Sequence, residues 1–139
     1  MTLGRRAMLL SLVVAATPVV ACRSDEGRAI DPVWGKQPCA HCAMLVSERR
    51  AAAQLVDQSG ERQYFDDIGC MAAWAREHAE PKRMWVRAPN DDGWVDARTA
   101  RYRTDAKTPM DYGFVAANEG VGWDDVRARA AARDVVKGP

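Results

Sequence analysis

The sequence predicts an α+β fold in which two small β-β-α-β-like halves form one compact domain, behind an N-terminal signal peptide and tether. Three observations predict it. Two strand-like segments joined by a polar turn precede an amphipathic helix, a further strand follows that helix, and a similar order returns more loosely in the second half. Strands and helices that alternate along the chain favour a mixed fold over an all-α or all-β one.

The N-terminus is typical of an exported lipoprotein. Arg5 and Arg6 precede an almost wholly apolar segment, residues 7–20, which has the architecture of a signal peptide. This segment is shorter than the roughly 20 apolar residues that span a bilayer as a helix, so we expect it to be cleaved. It ends in the letters VVAC at 19–22, which resemble the lipobox of bacterial lipoproteins. We therefore expect removal of residues 1–21, acylation of Cys22 and a lipid anchor on the periplasmic side of a bacterial membrane. An ordinary signal peptide with an incidental cysteine is the alternative, and both the Sec and the twin-arginine export routes stay open.

Length and charge limit the function of the mature chain. Removing residues 1–21 from the 139 leaves 118, enough for one domain. The net charge of the whole chain is +1, and the loss of Arg5 and Arg6 lowers it by two, to −1. This balance excludes the strongly basic surface of a nucleic-acid-binding protein. Residues 22–38, which contain glycine and proline, are expected to form a lipidated tether and an extended arm, and residues 39–139 the folded domain.

The first half is predicted to be a β-β-α-β unit. Asp66 or Asp67 is expected to cap a helix that begins at about Ile68, has apolar residues at helical spacing, and stops before Pro81. The other predicted elements are strands at 44–47, 51–57, 62–65 and 83–87 and a turn at 58–61.

The second half repeats this order loosely. Asp124 and Asp125 in the first turn of its predicted helix, with arginines in later turns, suit the helix dipole. The predicted elements are a turn at 90–93, short strands at 94–97, 100–103 and 112–117, and a helix at 123–136.

Sulfur-containing side chains mark the candidate site. Cys39, Cys42 and Met44 lie within six consecutive residues. Sulfur ligands select soft ions, above all Cu(I), and the thioether favours copper over zinc. The Cys-x-x-Cys pair alone also fits a redox pair or half of a zinc site. If Cys22 is acylated, three cysteines remain, Cys70 being the third, and at most one disulfide can form among them.

Other side chains have two possible roles each. Met110 follows a proline in a polar turn, where it is either a second soft ligand or a loop residue packed into the core. His41 is interpreted as a solvated loop residue, and Cys70 as a small buried side chain. Asp66 and Asp67 are interpreted as helix caps.

Three motifs in order carry a family resemblance: CAHCAM at 39–44, YFDD at 64–67 and TPMDYGFV at 108–115. From the lipobox to about residue 119, the chain resembles the NosL family of nitrous-oxide-reductase accessory lipoproteins. The resemblance implies a non-enzymatic periplasmic Cu(I)-binding protein that delivers copper to a client, nitrous oxide reductase or its maturation machinery. It also implies a fold of two halves related to the core of the organomercurial lyase.

The resemblance also implies a ligand set. The family's Cys-Gly-Met and Thr-Pro-Met-Gly elements fall on Cys42 to Met44 and on the turn that contains Met110, so these three sulfur-bearing residues are the expected ligands, with Cys39 as a fourth candidate. Ala43 and Asp111 stand where the family has glycine. Ala43 does not easily adopt a positive φ, and Asp111 adds a charge beside a candidate ligand.

Two rival functions stay open. A thiol-disulfide oxidoreductase would use Cys39 and Cys42 as a redox pair, but such motifs usually open a helix after a strand, whereas this one follows Pro38 and precedes a strand-like segment. An enzyme similar to the organomercurial lyase would need two convergent cysteines and an acid. Cys42, Cys70 and Asp66 could fill those roles if the fold brought them together.

Overall fold

A computed structural model describes residues 25–138, and the predicted α+β class is confirmed. The predicted signal peptide, the lipobox and Cys22 lie outside these residues. Among the described residues, neither helix combines the length and the apolar character needed to cross a membrane. The helices are α1 (Ile68–Glu77) and α2 (Trp123–Lys137), and the strands are β1 (Ala53–Val56), β2 (Arg62–Phe65), β3 (Arg83–Arg87), β4 (Trp94–Asp96), β5 (Arg101–Arg103) and β6 (Val115–Ala117).

The strands form two antiparallel sheets. The larger sheet has the order β2-β1-β3-β4, and β5 pairs with β6 in the smaller one. The first half is therefore the predicted β-β-α-β unit, formed by β1, β2, α1 and β3. In the second half, β4 joins the larger sheet, β5 and β6 form the smaller sheet, and α2 follows them. In the part of the chain that the structure describes, no strand follows α2.

One face of the larger sheet is apolar and packs against α1. Ala53 and Leu55 alternate along β1 and point to this face, together with their cross-strand partners Phe65, Met84 and Val86. All five side chains are at most 2% exposed. Each large apolar side chain buried here stabilises the fold by about 1.5–3 kcal/mol. The hydrophobic alternation thus fixes which face of the sheet packs against α1.

Both ends of α1 are held by polar contacts. Asp67 is its N-cap, and its Oδ1 accepts the N–H of Gly69 at 3.0 Å. Near the other end, Arg76 forms an ion pair with Asp134 of α2, with 2.9 Å between N and O.

The Tyr112 ring packs directly on Gly69 of α1, 1.9 Å from where a Cβ atom would stand. Glycine at this position is therefore required for the close approach of the second half.

The arm over residues 29–38 lies against the other face of the larger sheet. Gln54, which is fully buried, exchanges two hydrogen bonds of 3.0 Å with the backbone of Ile30. Further along, Asp31 accepts a 2.7 Å hydrogen bond from the Trp94 indole and lies 3.6 Å from the buried Arg87 guanidinium. The arm therefore covers polar side chains that would otherwise lie on an open sheet face.

Three predicted elements differ from the structure. Residues 44–47 do not form a strand: the segment folds back on residues 35–39, and its one bridge joins Leu45 to Pro38. The strand predicted over 112–117 is confined to β6, because Gly113, at φ 87°, turns the backbone before it. A short 3-10 turn at Arg49–Ala51 occupies the start of the strand predicted from residue 51.

Candidate metal centre

The Cys-x-x-Cys segment is a tight loop pinned to the edge of the sheet. The N–H of Cys39 donates to the carbonyl of Met44 at 2.7 Å, and the N–H of Ala43 donates to the carbonyl of Cys39 at 3.0 Å. The N–H of Ala40 donates to the carbonyl of Tyr64 in β2 at 2.8 Å. These bonds close the loop on itself and fix it beside the end of β2, where the chain enters α1.

The fold brings a third cysteine and an acid to this loop. The sulfur atoms of Cys39, Cys42 and Cys70 and a carboxylate oxygen of Asp66 all lie within 4.8 Å of one another. Asp66 directly follows β2, and Cys70 is in the first turn of α1. We call these four residues the thiol group. The structure therefore unites Cys39 and Cys42 with two residues that the sequence did not mark as ligands.

Most of the thiol group is hidden from solvent. Asp66 and Cys70 are 0% exposed, Cys39 is 3% exposed, and Cys42 is half-buried. The Cys42 thiol donates a hydrogen bond to Asp66 Oδ1 at 3.3 Å. The other oxygen of this carboxylate, Oδ2, is buried without a hydrogen-bond partner. A buried oxygen in this state is costly, and a cation at the thiol group would relieve that cost.

The three thiols differ in acidity because of their contacts. The pKa of Cys39 is lowered from 9.0 to about 6, chiefly because the Cys70 thiol donates a hydrogen bond to it, with backbone N–H groups adding to the effect. Burial, together with the hydrogen bond to Asp66, raises the pKa of Cys42 to about 12. The pKa of Cys70 is also raised, first by its hydrogen bond to Cys39 and then by burial. Cys39 is therefore the most acidic of the three thiols.

The two methionines predicted as ligands lie in different surroundings. Met44 is 48% exposed at the end of the loop. Met110 is partly buried against the core, and its N–H donates to Asp67 Oδ2 at 3.0 Å. Asp67 is the neighbour of Asp66 in sequence, which brings the Met110 turn to the same end of the sheet. His41 is exposed on the loop, in agreement with its interpretation as a solvated residue.

Two roles assigned from the sequence need correction. Asp66 is not a helix cap; Asp67 alone fills that role, and Asp66 faces the thiols. Cys70 is buried, as expected, but its neighbours are two other sulfur atoms rather than apolar side chains alone. The signal for both was the spacing of Asp66 and Cys70, one helical turn apart, together with a cysteine count that leaves one thiol unpaired.

The acidity of Cys39 can be measured in the reduced, metal-free protein with Cys22→Ser, which leaves three thiols. We expect one thiolate absorbance step at 240 nm, rising with pH through a midpoint near 6, because the pKa of Cys39 is lowered to about 6 from the ordinary thiol value of 9.0. Cys39→Ser should abolish this step. Cys70→Ala should move it to higher pH, because that variant loses the donated hydrogen bond. Three thiols that titrate together near pH 9 would contradict the described geometry.

The loop also stores backbone strain at Ala43, whose φ is 66°. A side chain disfavours this left-handed conformation by roughly 1–2 kcal/mol. Glycine avoids that cost but loses more conformational entropy on folding, which offsets part of the gain in stability. We expect Ala43→Gly to raise the free energy of unfolding by about 1 kcal/mol in denaturant titrations. Ala40→Gly is the matched control: its φ is not positive, so it should lower stability. A stabilising Ala40→Gly, or a destabilising Ala43→Gly, would show that strain at Ala43 is not the cause.

Comparison with known proteins gives one structural likeness. No protein-family model and no curated protein matches the chain. The chain is similar to the crystal structure of the copper chaperone NosL from Shewanella denitrificans, with a TM-score of 0.54 and 16% sequence identity over 76% of this chain and 87% of that one. At this identity the likeness establishes a shared fold, and the chain has, at the end of its larger sheet, a group of side chains that could hold a metal ion.

Proposed function

We propose that this chain is a lipid-anchored periplasmic Cu(I) carrier that delivers copper to a client protein and performs no catalytic turnover. The observation that carries the proposal is the thiol group, in which three sulfur atoms and one carboxylate lie within 4.8 Å of one another. Soft sulfur ligands select Cu(I) among the common biological ions. The fold shared with a copper chaperone supports the same conclusion.

Charge also favours a monovalent ion. The thiol group has one thiolate, at Cys39, when the other thiols keep their protons. Cu(I) beside that thiolate leaves no net charge on the pair, and this matters because an unpaired charge in a buried site is costly. A protonated thiol is a poor ligand, so any second cysteine that binds Cu(I) gives up its proton to solvent, whereas the Met110 thioether would add a soft ligand without charge. A low-coordinate site of this kind suits an ion that must be given up again.

The sulfur-bearing side chains differ in solvent exposure, and we assign them different roles in holding and transferring the copper ion on that basis. Cys39 and Cys70 are buried, whereas Cys42 is half-buried and Met44 is 48% exposed. We infer that the buried sulfur atoms retain the ion, while Cys42 and Met44 form the side from which a client's ligand can approach. The client that the sequence resemblance indicates is nitrous oxide reductase or its maturation machinery.

The same geometry disfavours a thiol-disulfide oxidoreductase. In such an enzyme the acidic thiol is the attacking group and must be accessible. In this chain the acidic thiol, Cys39, is 3% exposed, whereas the half-buried thiol, Cys42, has its pKa raised to about 12. The accessible sulfur is therefore a poor nucleophile, and the good nucleophile is inaccessible.

Anaerobic Cu(I) competition against a chromogenic chelator tests the carrier proposal. Cys42→Ser should weaken binding by at least about 100-fold, because it removes one of the three clustered sulfur ligands and the one most open to copper. Met44→Ala and Met110→Ala should each weaken it by about tenfold, near 1.4 kcal/mol. Leu45→Ala, 52% exposed beside Met44, is the matched control and should stay within about twofold.

Thermal melts of each variant separate ligand loss from unfolding. Normal copper binding by both methionine variants, with a large loss in Cys70→Ser, would show that the ligands are the three thiols and that the thioethers are not ligands. Unchanged binding by Cys39→Ser, Cys42→Ser and Cys70→Ser alike would remove the copper proposal altogether.

One observation favours a second candidate, an enzyme similar to the organomercurial lyase. That function needs two convergent cysteines and an acid, and the fold brings Cys42, Cys70 and Asp66 into one group. Asp66 is also close enough to Cys42 to accept its hydrogen bond at 3.3 Å. Incubation of the reduced protein with phenylmercuric acetate separates the two functions. A carrier should release no benzene above the buffer control, whereas benzene release that Asp66→Asn abolishes would establish the lyase.

A further inference from the structure

The described domain begins very close to the proposed lipid anchor. Arg23 and Ser24 alone separate Cys22 from Asp25 in the sequence. The Arg62 guanidinium, at the start of β2, donates hydrogen bonds of 2.8 Å to the carbonyls of both Asp25 and Arg28. A chain extends by at most roughly 3.6 Å per residue, so the anchor can lie no more than about 11 Å from Asp25.

This attachment is at one end of the larger sheet. Lys82, just before β3, forms an ion pair of 3.2 Å with Glu26, and Gly60 of the β1–β2 turn lies close against the same glutamate side chain. Arg62 and Arg83 both pair with Val56, the last residue of β1, so these contacts share one end of the strands. We call this surface, formed by residues 25–28, 57–61 and 82–83, the anchor end.

The thiol group lies at the opposite end of the same strands. β2 leads from Arg62 at the anchor end to Phe65, and Asp66 of the thiol group follows directly. Four steps of about 3.3 Å along a strand separate Arg62 from Asp66 by roughly 13 Å. The chain from Asp25 to Ala40 runs alongside β2 in the same direction, from Asp25 beside Arg62 to Ala40 beside Tyr64. The start of the described chain and the Cys39–Met44 loop are therefore at opposite ends of one short sheet.

We propose that the anchor end lies against the phospholipid headgroups and that the thiol group faces away from the membrane, towards the aqueous space. This inference rests on the proposed acylation of Cys22. The short connection between Cys22 and Asp25 is what orients the domain on the membrane. Charge does not, because the anchor end carries both acidic and basic side chains and so has no strong attraction for lipid of either charge. The copper recipient is then a water-soluble protein or domain that approaches from the aqueous side, and not a site at headgroup depth.

Photo-crosslinking to lipid tests this orientation. The full lipoprotein is bound to vesicles of phosphatidylethanolamine and phosphatidylglycerol with a diazirine amino acid at Ser59, in the β1–β2 turn, or at Leu45, beside the Cys39–Met44 loop. Both positions are exposed, so they form a matched pair. We expect at least fivefold more lipid adduct from position 59 than from position 45. Equal yields, or more adduct from position 45, would overturn the orientation.

Two further variants separate the orientation from the anchor itself. Insertion of a 20-residue glycine-serine linker between Ser24 and Asp25 should keep the protein on vesicles but bring the two adduct yields within twofold, because the short connection is gone. A preference for position 59 that survives the insertion would overturn the argument from length. Cys22→Ser should abolish vesicle binding; retained binding by that variant would refute the anchor, and with it the premise of this inference.

Discussion

The functional end of the molecule depends on one buried carboxylate, that of Asp67. Its Oδ1 caps α1 through the N–H of Gly69, and its Oδ2 accepts the N–H of Met110, each at 3.0 Å. Burial raises the pKa of this group, and hydrogen bonds from Thr108 and from the two backbone N–H groups oppose that effect. Because the donors come from both halves of the chain, the start of α1 and the Met110 turn cannot move independently. The position of Cys70 and that of the candidate thioether are thus fixed by the same side chain.

Asp66 and Asp67 are neighbours with opposite roles, and the reason is geometric. Both follow β2 directly, and Asp67 has an extended backbone, with φ −139° and ψ 137°, before the chain turns into α1. Asp67 points to the helix start and to the second half, and its oxygens are satisfied by hydrogen bonds. Asp66 points to the thiols, and one of its oxygens is left without a partner. The dipeptide therefore joins a structural carboxylate to one that has an oxygen free to contact a metal ion.

The sequence allowed the local elements to be predicted well, because each has a local cause. The apolar spacing of α1, its aspartate cap and the polar turn between β1 and β2 lie within short stretches of chain. The prediction of a strand at 44–47 was wrong, because the hydrogen-bond partners of this segment are in the arm at 35–39 and do not belong to the sheet. Cys39 and Cys42 could be marked as candidates from their spacing. The position of Cys70 beside them could not be predicted, because its approach depends on the packing of α1 against the sheet.

Ala43 and Asp111 illustrate how shape can persist when residue type changes. Their φ angles are 66° and 57°, the left-handed backbone for which glycine is the usual choice. Each turn therefore holds a left-handed residue that is not glycine, at a small energetic cost in the folded state. A short motif that requires glycine at residue 43 or 111 would miss both turns of this chain.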